Sequence, residues 1–477
     1  MPDRVLFLTG HLAERRLRQV LSDLKKPVLD WAVHDVGIQV AALMTADLIR
    51  RRLPPETVEG CARVVVPGHC RGDLDAVAAS FGGGVPFERG PEDLHDLPEW
   101  LGGAAQPVDL SQYDVRIFAE IVDAPRMPVE DILAKARDLA ADGADVIDVG
   151  CLPDTPFPHL EETIAALREA GFRVSADSAD LDELRRAGRA GAEFLLSLTE
   201  ETLGLADEVA SVPVLIPARH GDLPSLYRAA EALAARGREF IVDPILDPIP
   251  FGVTASIERY AAVRRTLPET RILMGIGNLT ELTDADTTGV NAILFGMIAE
   301  LDITDVLAVQ KSPHCRRAVY EGDRARRLMH AAKRLGRLPV GIDTSLMALR
   351  DRRPFPSTPA EIAETAAQIR DANFRIEIAE DGIHVYNRDG HHIARDAFDL
   401  YPHLGVEQDG AHAFYLGVEL ARAQTAWQLG KRYVQDEDLS WGSAVDRPPE
   451  DKMIHRAPGP TLEARRKRPR RGETEAK

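Results

Sequence analysis

Two rhythms alternate along most of this chain: short apolar runs, and longer stretches with apolar residues at helical spacing. Between residues 114 and 335 they follow one another eight times. The runs Ile117–Val122, Val146–Val149, Arg173–Ala176, Phe194–Leu198, Val212–Ile216, Phe240–Val242, Ile272–Met274 and Val306–Val309 read as strands, each trailed by a helical pattern. They are apolar along both faces, as a parallel sheet covered by helices requires. Eight such units in about two hundred residues fit a closed (β/α)8 barrel, and an open doubly wound sheet is the alternative.

The flanks carry other patterns. Residues 1–108 predict a small Rossmann-like α/β unit: strands at Val5–Leu8, Val28–Val33 and Arg63–Val66, with helices over Ala13–Leu24 and Gly37–Leu53. Gly10, Gly68 and Gly72 lie just past strands, where helix-start N–H groups hold anions in some proteins. Without a GxGxxG or GxxxxGK[ST] motif, tight-turn glycines are the better reading. A Gly- and Pro-containing segment at 102–107 reads as a linker. Residues 339–445 predict a small α+β domain: a helix over Pro359–Ala372, a three-stranded meander turning at Glu380-Asp381-Gly382 and Arg388-Asp389-Gly390, and a helix over His412–Tyr433. This appendage suits packing or oligomer contacts, and a homodimer is one assembly it allows. The expected architecture is therefore α/β, with a central TIM barrel at 114–335 between these two smaller domains.

Charge narrows the partners. The net charge of −18 repels nucleic acid and anionic lipid. Basic residues gather only in the tail 446–477, from Arg465 to Arg471, which reads as a disordered, solvated extension. The four cysteines, Cys61, Cys70, Cys151 and Cys315, have no framework spacing, which fits a reducing compartment. No signal peptide and no run of eighteen apolar residues is present, so a cytoplasmic protein without membrane segments is expected.

A parallel barrel directs its chemistry to the C-terminal ends of its strands. The polar residues there are Asp148, Asp177-Ser178, Ser197, Asp243, Asn278, Gln310 and Lys311, with His314 close behind. Converging carboxylates bind a metal, perform acid/base work or accept hydrogen bonds from a donor-rich heterocycle. Histidines His159, His220 and His314 fall on separate loops, without HExxH-type pairing, which favours the heterocycle over a metal. A hard-ion site from Asp148, Asp177 and Asp243 remains an alternative, and each aspartate taken singly could merely cap the next helix. Cys151 reads as a small core residue rather than a nucleophile.

The segments GADVIDVG (143–150), RVSADS (173–178) and FIVDP (240–244) resemble successive strand ends of the pterin-binding family. That family contains dihydropteroate synthases and methyltransferases acting on methylated tetrahydrofolate or tetrahydromethanopterin. The resemblance spans about residues 114–335. It implies that Asp177 and Asp243 hold the amino-pyrimidinone edge of a pterin, by paired N–H bonds to carboxylates.

Departures are as informative. The synthases' strand-four Asn-Asp pair matches Leu196 and Ser197 here, and their strand-seven lysine and strand-eight Arg-x-His match GIGNLTEL and AVQKSPH. Lys311 and His314 are the substitutes at hand. The Thr-Arg-Pro loop is Asp154-Thr155-Pro156, without its arginine. DPILDPIPFG (243–252) and Gly277-Asn278 resemble the methyltransferase branch, in which Asn278 would assist protonation at N5. No DxHxxG corrinoid signature occurs, so a corrinoid acceptor would be a separate protein.

Three functions follow as expectations from the resemblance. The first is condensation of a hydroxymethyl-dihydropterin diphosphate with an arylamine, in tetrahydromethanopterin- or folate-type cofactor synthesis. Asp177, Asp243 and Asn278 would be the catalytic set, and Asp148, Ser197, Lys311 and His314 would bind substrate. The pterin is a substrate, no cofactor is covalently bound, and magnesium would accompany the diphosphate. The other two are methyl transfer to a separate acceptor protein and a non-catalytic pterin-binding scaffold.

Overall fold

The computed structural model describes residues 4–24, 30–92, 94–101 and 108–446. The 102–107 linker and the 447–477 part of the basic tail lie outside the described residues. The chain divides into two compact units, one of residues 108–348 with 441–446, the other of the remaining N-terminal and C-terminal parts.

The N-terminal part of the second unit opens with strand β1 (Arg4–Thr9) and helix α1 (His11–Asp23), then β2 (Trp31–Asp35), α2 (Ala46–Arg52), β3 (Cys61–Val66), α3 (Leu74–Ser80), β4 (Phe87–Arg89) and α4 (Leu97–Leu101). The sheet is parallel in the order β2-β1-β3-β4. Apolar side chains on both faces of β1 and β3 bury against the helices, Leu6, Leu8 and Val64 on one side and Val5, Phe7 and Val65 on the other.

Three details depart from the expected elements. The helix read over Gly37–Leu53 is confined to Ala46–Arg52 because Thr45 is extended, bridges to Arg71 and caps the helix by accepting from Leu48 N–H. Strand β2 starts at Trp31 rather than Val28, and residues 25–29 lie outside the described ones. Strand β4 is only three residues long and gives no periodic signal.

The barrel unit comprises β5 (Arg116–Ile121), α5 (Val129–Ala141), β6 (Val146–Gly150), α6 (Leu160–Glu169), β7 (Val174–Asp177), α7 (Leu181–Ala190), β8 (Phe194–Leu198), α8 (Leu205–Glu208), β9 (Val212–Leu215), α9 (Leu223–Ala235), β10 (Ile241–Val242), α10 (Val253–Thr266), β11 (Arg271–Gly275), α11 (Gly277–Thr280), α12 (Thr287–Glu300), β12 (Asp305–Val309) and α13 (Ala318–Leu335). The eight strands close in sequence order, all parallel, with β12 pairing back to β5. The open doubly wound sheet is thereby excluded, and each strand read from the sequence occupies its place in the ring.

Side chains inside the barrel stack by the two-residue period of the strands. Phe118, Val146, Phe194, Leu196, Val214, Ile241 and Leu273 form its interior layer, with Phe118 edge-on to Phe194 at 5.0 Å. Below them Arg116, Arg173 and Arg271 lie over the Phe194 ring, and the fully buried Asp305 accepts from Arg116 and Arg271. That end is sealed by ion pairs and belongs to stability. The buried Arg326 of α13 donates to Val115 and Gly143 carbonyls at 2.7 and 2.8 Å and pairs with Asp145 and Asp323. It fastens the last helix to the start of the first strand.

The C-terminal part of the other unit contains α14 (Pro359–Gln368), β13 (Arg375–Ala379), β14 (Gly382–Asn387), β15 (Gly390–Ala394), α15 (Ala397–Leu400) and α16 (Gly410–Leu429). The three strands form the expected meander. Helix α16 stops at Leu429 rather than Tyr433 because Gly430 takes a left-handed φ of 69° as its C-cap. Within this unit Arg353 pairs with Asp96 and Glu99, Arg432 pairs with Asp96, and Leu12 packs against the cluster of Ile362, Ile369 and Tyr386. Among the described residues no helix is long and apolar enough to cross a membrane.

Candidate functional site

Strand periodicity builds the barrel mouth. Two residues beyond Phe118 on β5 stands Glu120, and two beyond Val146 on β6 stands Asp148. Two beyond Ile241 on β10 stands Asp243, and Asp177 ends β7. Alternation that turns an apolar residue into the barrel thus turns an acid into its mouth one layer higher.

Each acid has a distinct environment. Asp148 is fully buried and accepts from the Ser175 hydroxyl on β7, its partner across the ladder, while its Oδ2 has no partner. Burial, then the neighbouring Asp177 and Glu120, hold its carboxyl well above the usual range. Asp177 is also raised by burial, against a 3.4 Å hydrogen bond from the Ser197 hydroxyl. Burial pushes Glu120 up to about 7, helped by Asp177 and Glu281. Glu281, which burial alone would raise, is instead lowered by hydrogen bonds from Ser312 and from the Lys311 and Ser312 backbone.

Asp243 is the most firmly held. Its Oδ1 accepts from the Tyr260 hydroxyl at 2.7 Å and from Ile245 N–H at 2.8 Å. Burial nevertheless carries its carboxyl up to about 6, with those two hydrogen bonds opposing. The loop that follows is braced by Arg259, which donates to the Pro244 and Ile245 carbonyls and pairs with Asp247 at 2.8 Å.

The structure brings Asp148, Asp177, Ser197 and Asp243 to one mouth. Asn278, Lys311 and His314 lie exposed beyond the strand ends, Asn278 on the short helix α11 and the other two on the segment after β12. Asn278 donates to the Leu246 carbonyl at 2.7 Å, Lys311 pairs with Asp123, and a His314 ring nitrogen lies 3.1 Å from the Thr280 carbonyl. Cys151 is half-buried beside Glu183, and burial holds its thiol far above the range of a reactive thiolate. Sequence reasoning missed Glu120 and Tyr260. Counting two residues on from Phe118 would have found the first; the second sits on a helix and carries no local signal.

Among the described residues the groups of metal-ligating side chains that come together are His11, Glu14 and Asp35, and His69, Glu92 and Glu437, all outside the barrel unit.

Fold and site define a parallel (β/α)8 barrel with an acidic mouth whose carboxyls are raised by burial. A family of unknown function (DUF6513) matches residues 3–92. The uncharacterized protein MJ0107 of Methanocaldococcus jannaschii is 26% identical over 526 aligned positions, covering 91% of this chain and 99% of that one. The chain is similar to solved dihydropteroate synthases over a little under half of its length. The Yersinia pestis synthase is 16% identical with a TM-score of 0.36, covering 47% of this chain and 95% of that one. The Xanthomonas albilineans synthase, in complex with 7,8-dihydropteroate, is 20% identical with a TM-score of 0.36, covering 47% and 94%.

Proposed function

We propose that the barrel binds a reduced pterin and condenses its hydroxymethyl diphosphate with an arylamine. The observation that supports this most directly is Asp243. With Oδ1 occupied by Tyr260 and Ile245, its Oδ2 is the atom left to accept from a ligand. A carboxylate so oriented suits the parallel N–H donors of an amino-pyrimidinone ring. Asp177 supplies a second acceptor, and Asp148 lies buried beside it, accepting from the Ser175 hydroxyl.

In the reaction the exocyclic C–O bond breaks, diphosphate leaves with the electron pair, and the amine nitrogen attacks the exposed carbon and loses a proton. The electron-rich ring stabilises the developing cation, so orientation is the main task of the protein. Lys311 and His314 are the diphosphate contacts of this reading, and Lys311 would exchange Asp123 for a phosphate oxygen. A role in tetrahydromethanopterin- or folate-type cofactor synthesis follows from the resemblance in residues 114–335.

The test is release of pyrophosphate from the dihydropterin diphosphate with 4-aminobenzoate and other arylamines. Release that depends on the amine and is lost in Asp177→Asn supports condensation. Binding without release would leave the scaffold reading, and turnover of a methylated tetrahydropterin would establish methyl transfer.

A further inference from the structure

The condensation takes a proton from the amine, and one side chain of the barrel mouth has no other task. Glu120 projects from β5 one layer above Phe118 and is half-buried. Gly150 on β6 leaves it room, since a Cβ there would lie 2.6 Å from Glu120 Oε1. Among the described residues no hydrogen-bond donor reaches its carboxyl, although most polar groups so placed have a partner. Asp148 stands across the ladder from it, and that residue's Oδ2 is buried without a partner. The mouth therefore holds two neighbouring carboxyls with capacity that the protein leaves unused.

The other groups of the mouth are committed. Asp243 Oδ1 accepts from Tyr260 and Ile245, and its Oδ2 is given to the pterin. Asp177 accepts from Ser197 and serves the same ring. Asp148 is sealed from solvent and cannot hand a proton to water. Glu281 accepts from the Lys311 and Ser312 N–H groups, which hold its carboxyl below the usual range and make it a weak base. Lys311 pairs with Asp123. Among these groups Glu120 alone combines a free carboxyl with an opening to water. Burial, then Asp177 and Glu281, push that carboxyl up to about 7, where a base is matched to neutral pH.

We propose that Glu120 is the proton acceptor of the condensation, taking the N–H proton of the amine as the N–C bond forms. This role rests on the condensation reading of the barrel. The nitrogen lone pair makes the bond to carbon, and diphosphate leaves with the pair of the broken C–O bond. The proton passes to the Glu120 carboxylate and from there to water, which regenerates the base. Without an acceptor the adduct keeps a positive nitrogen, itself a good leaving group, and returns the amine.

Two measurements on the full-length protein test the role: single-turnover pyrophosphate release with 4-aminobenzoate at saturating dihydropterin diphosphate, from pH 5 to 9, and calorimetric binding of that diphosphate. The wild-type rate is expected to fall as pH drops through about 7. Glu120→Gln is expected to lower the rate at pH 8 by ~100-fold and to remove the acid limb. It is expected to bind the diphosphate as tightly as the wild type or more tightly, since a negative charge is gone. Glu120→Asp is expected to keep the limb at an intermediate rate. A merely structural role would move binding and rate together and leave the limb in place. Turnover by Glu120→Gln at the wild-type rate, or parallel loss of binding and rate, overturns the role of Glu120 while wild-type turnover upholds the condensation. Failure of the wild type to bind the diphosphate or to release pyrophosphate overturns the condensation reading and this role with it.

Discussion

The Tyr260 hydroxyl donates to Oδ1 of Asp243 across 2.7 Å, from a helix side chain that is completely buried. This bond fixes which oxygen of Asp243 faces the barrel mouth and favours the ionised form. Hydrogen bonds to charged groups contribute ~1.5–3 kcal/mol. Tyr260→Phe is therefore expected to weaken pterin binding by about ten-fold or more and to shift its pH midpoint upward. Calorimetric titration across pH 5–9 reads both effects.

Under the proposed function, the same carboxyl is expected to set the pH dependence of pterin binding in the unaltered protein. Its value of about 6 means that the accepting, ionised form is present above that pH and lost below it. Pterin affinity is expected to fall as pH drops through 6, and Asp243→Asn to remove the fall along with most of the affinity.

Glu120 makes a separate prediction for stability. Its folded carboxyl, at about 7, lies above its ordinary value of 4.5, so the folded state holds the proton more tightly. Stability then declines as pH rises from about 4.5 to about 7. Glu120→Gln is expected to flatten that decline and to raise stability at pH 8 by up to ~3 kcal/mol, with little change at pH 4. Urea denaturation at the two pH values measures it, and an equal loss at both would contradict the assignment.

Arg326 tests the closure of the barrel. Removing one partner of a buried ion pair leaves uncompensated charge and costs ~3–5 kcal/mol. Arg326→Ala leaves Asp323 with Arg324 and Arg327, and Asp145 with the Tyr113 hydroxyl and Ile117 N–H, so the loss by urea denaturation is expected at the lower end of that range, about 3 kcal/mol. Arg236→Ala, which breaks an exposed pair with Asp207, is expected to cost about 0–1 kcal/mol.

Legibility in the sequence followed the physics of each element. All eight barrel strands were visible because helices cover the sheet and leave continuous apolar runs. Asp148, Asp177 and Asp243 were visible because strand ends are fixed points. Glu120 hid inside a run treated as uniformly apolar, although Phe118 two residues earlier sets its direction. Tyr260 was invisible because its role depends on how α10 packs against β10. The cover of the α1 start, where the Ile38 and Gln39 carbonyls accept from His11 and Leu12 N–H, was missed too: Gly37–Leu53 has helical spacing, and only the Thr45 bridge to Arg71 breaks it.

Binding of hydroxymethyl-dihydropterin diphosphate to the wild-type protein and to Asp243→Asn at pH 8 tests the central claim most directly. The account predicts saturable binding to the wild type, weakened ~10–100-fold in the variant. No binding to the wild type, or equal binding to both proteins, would contradict it.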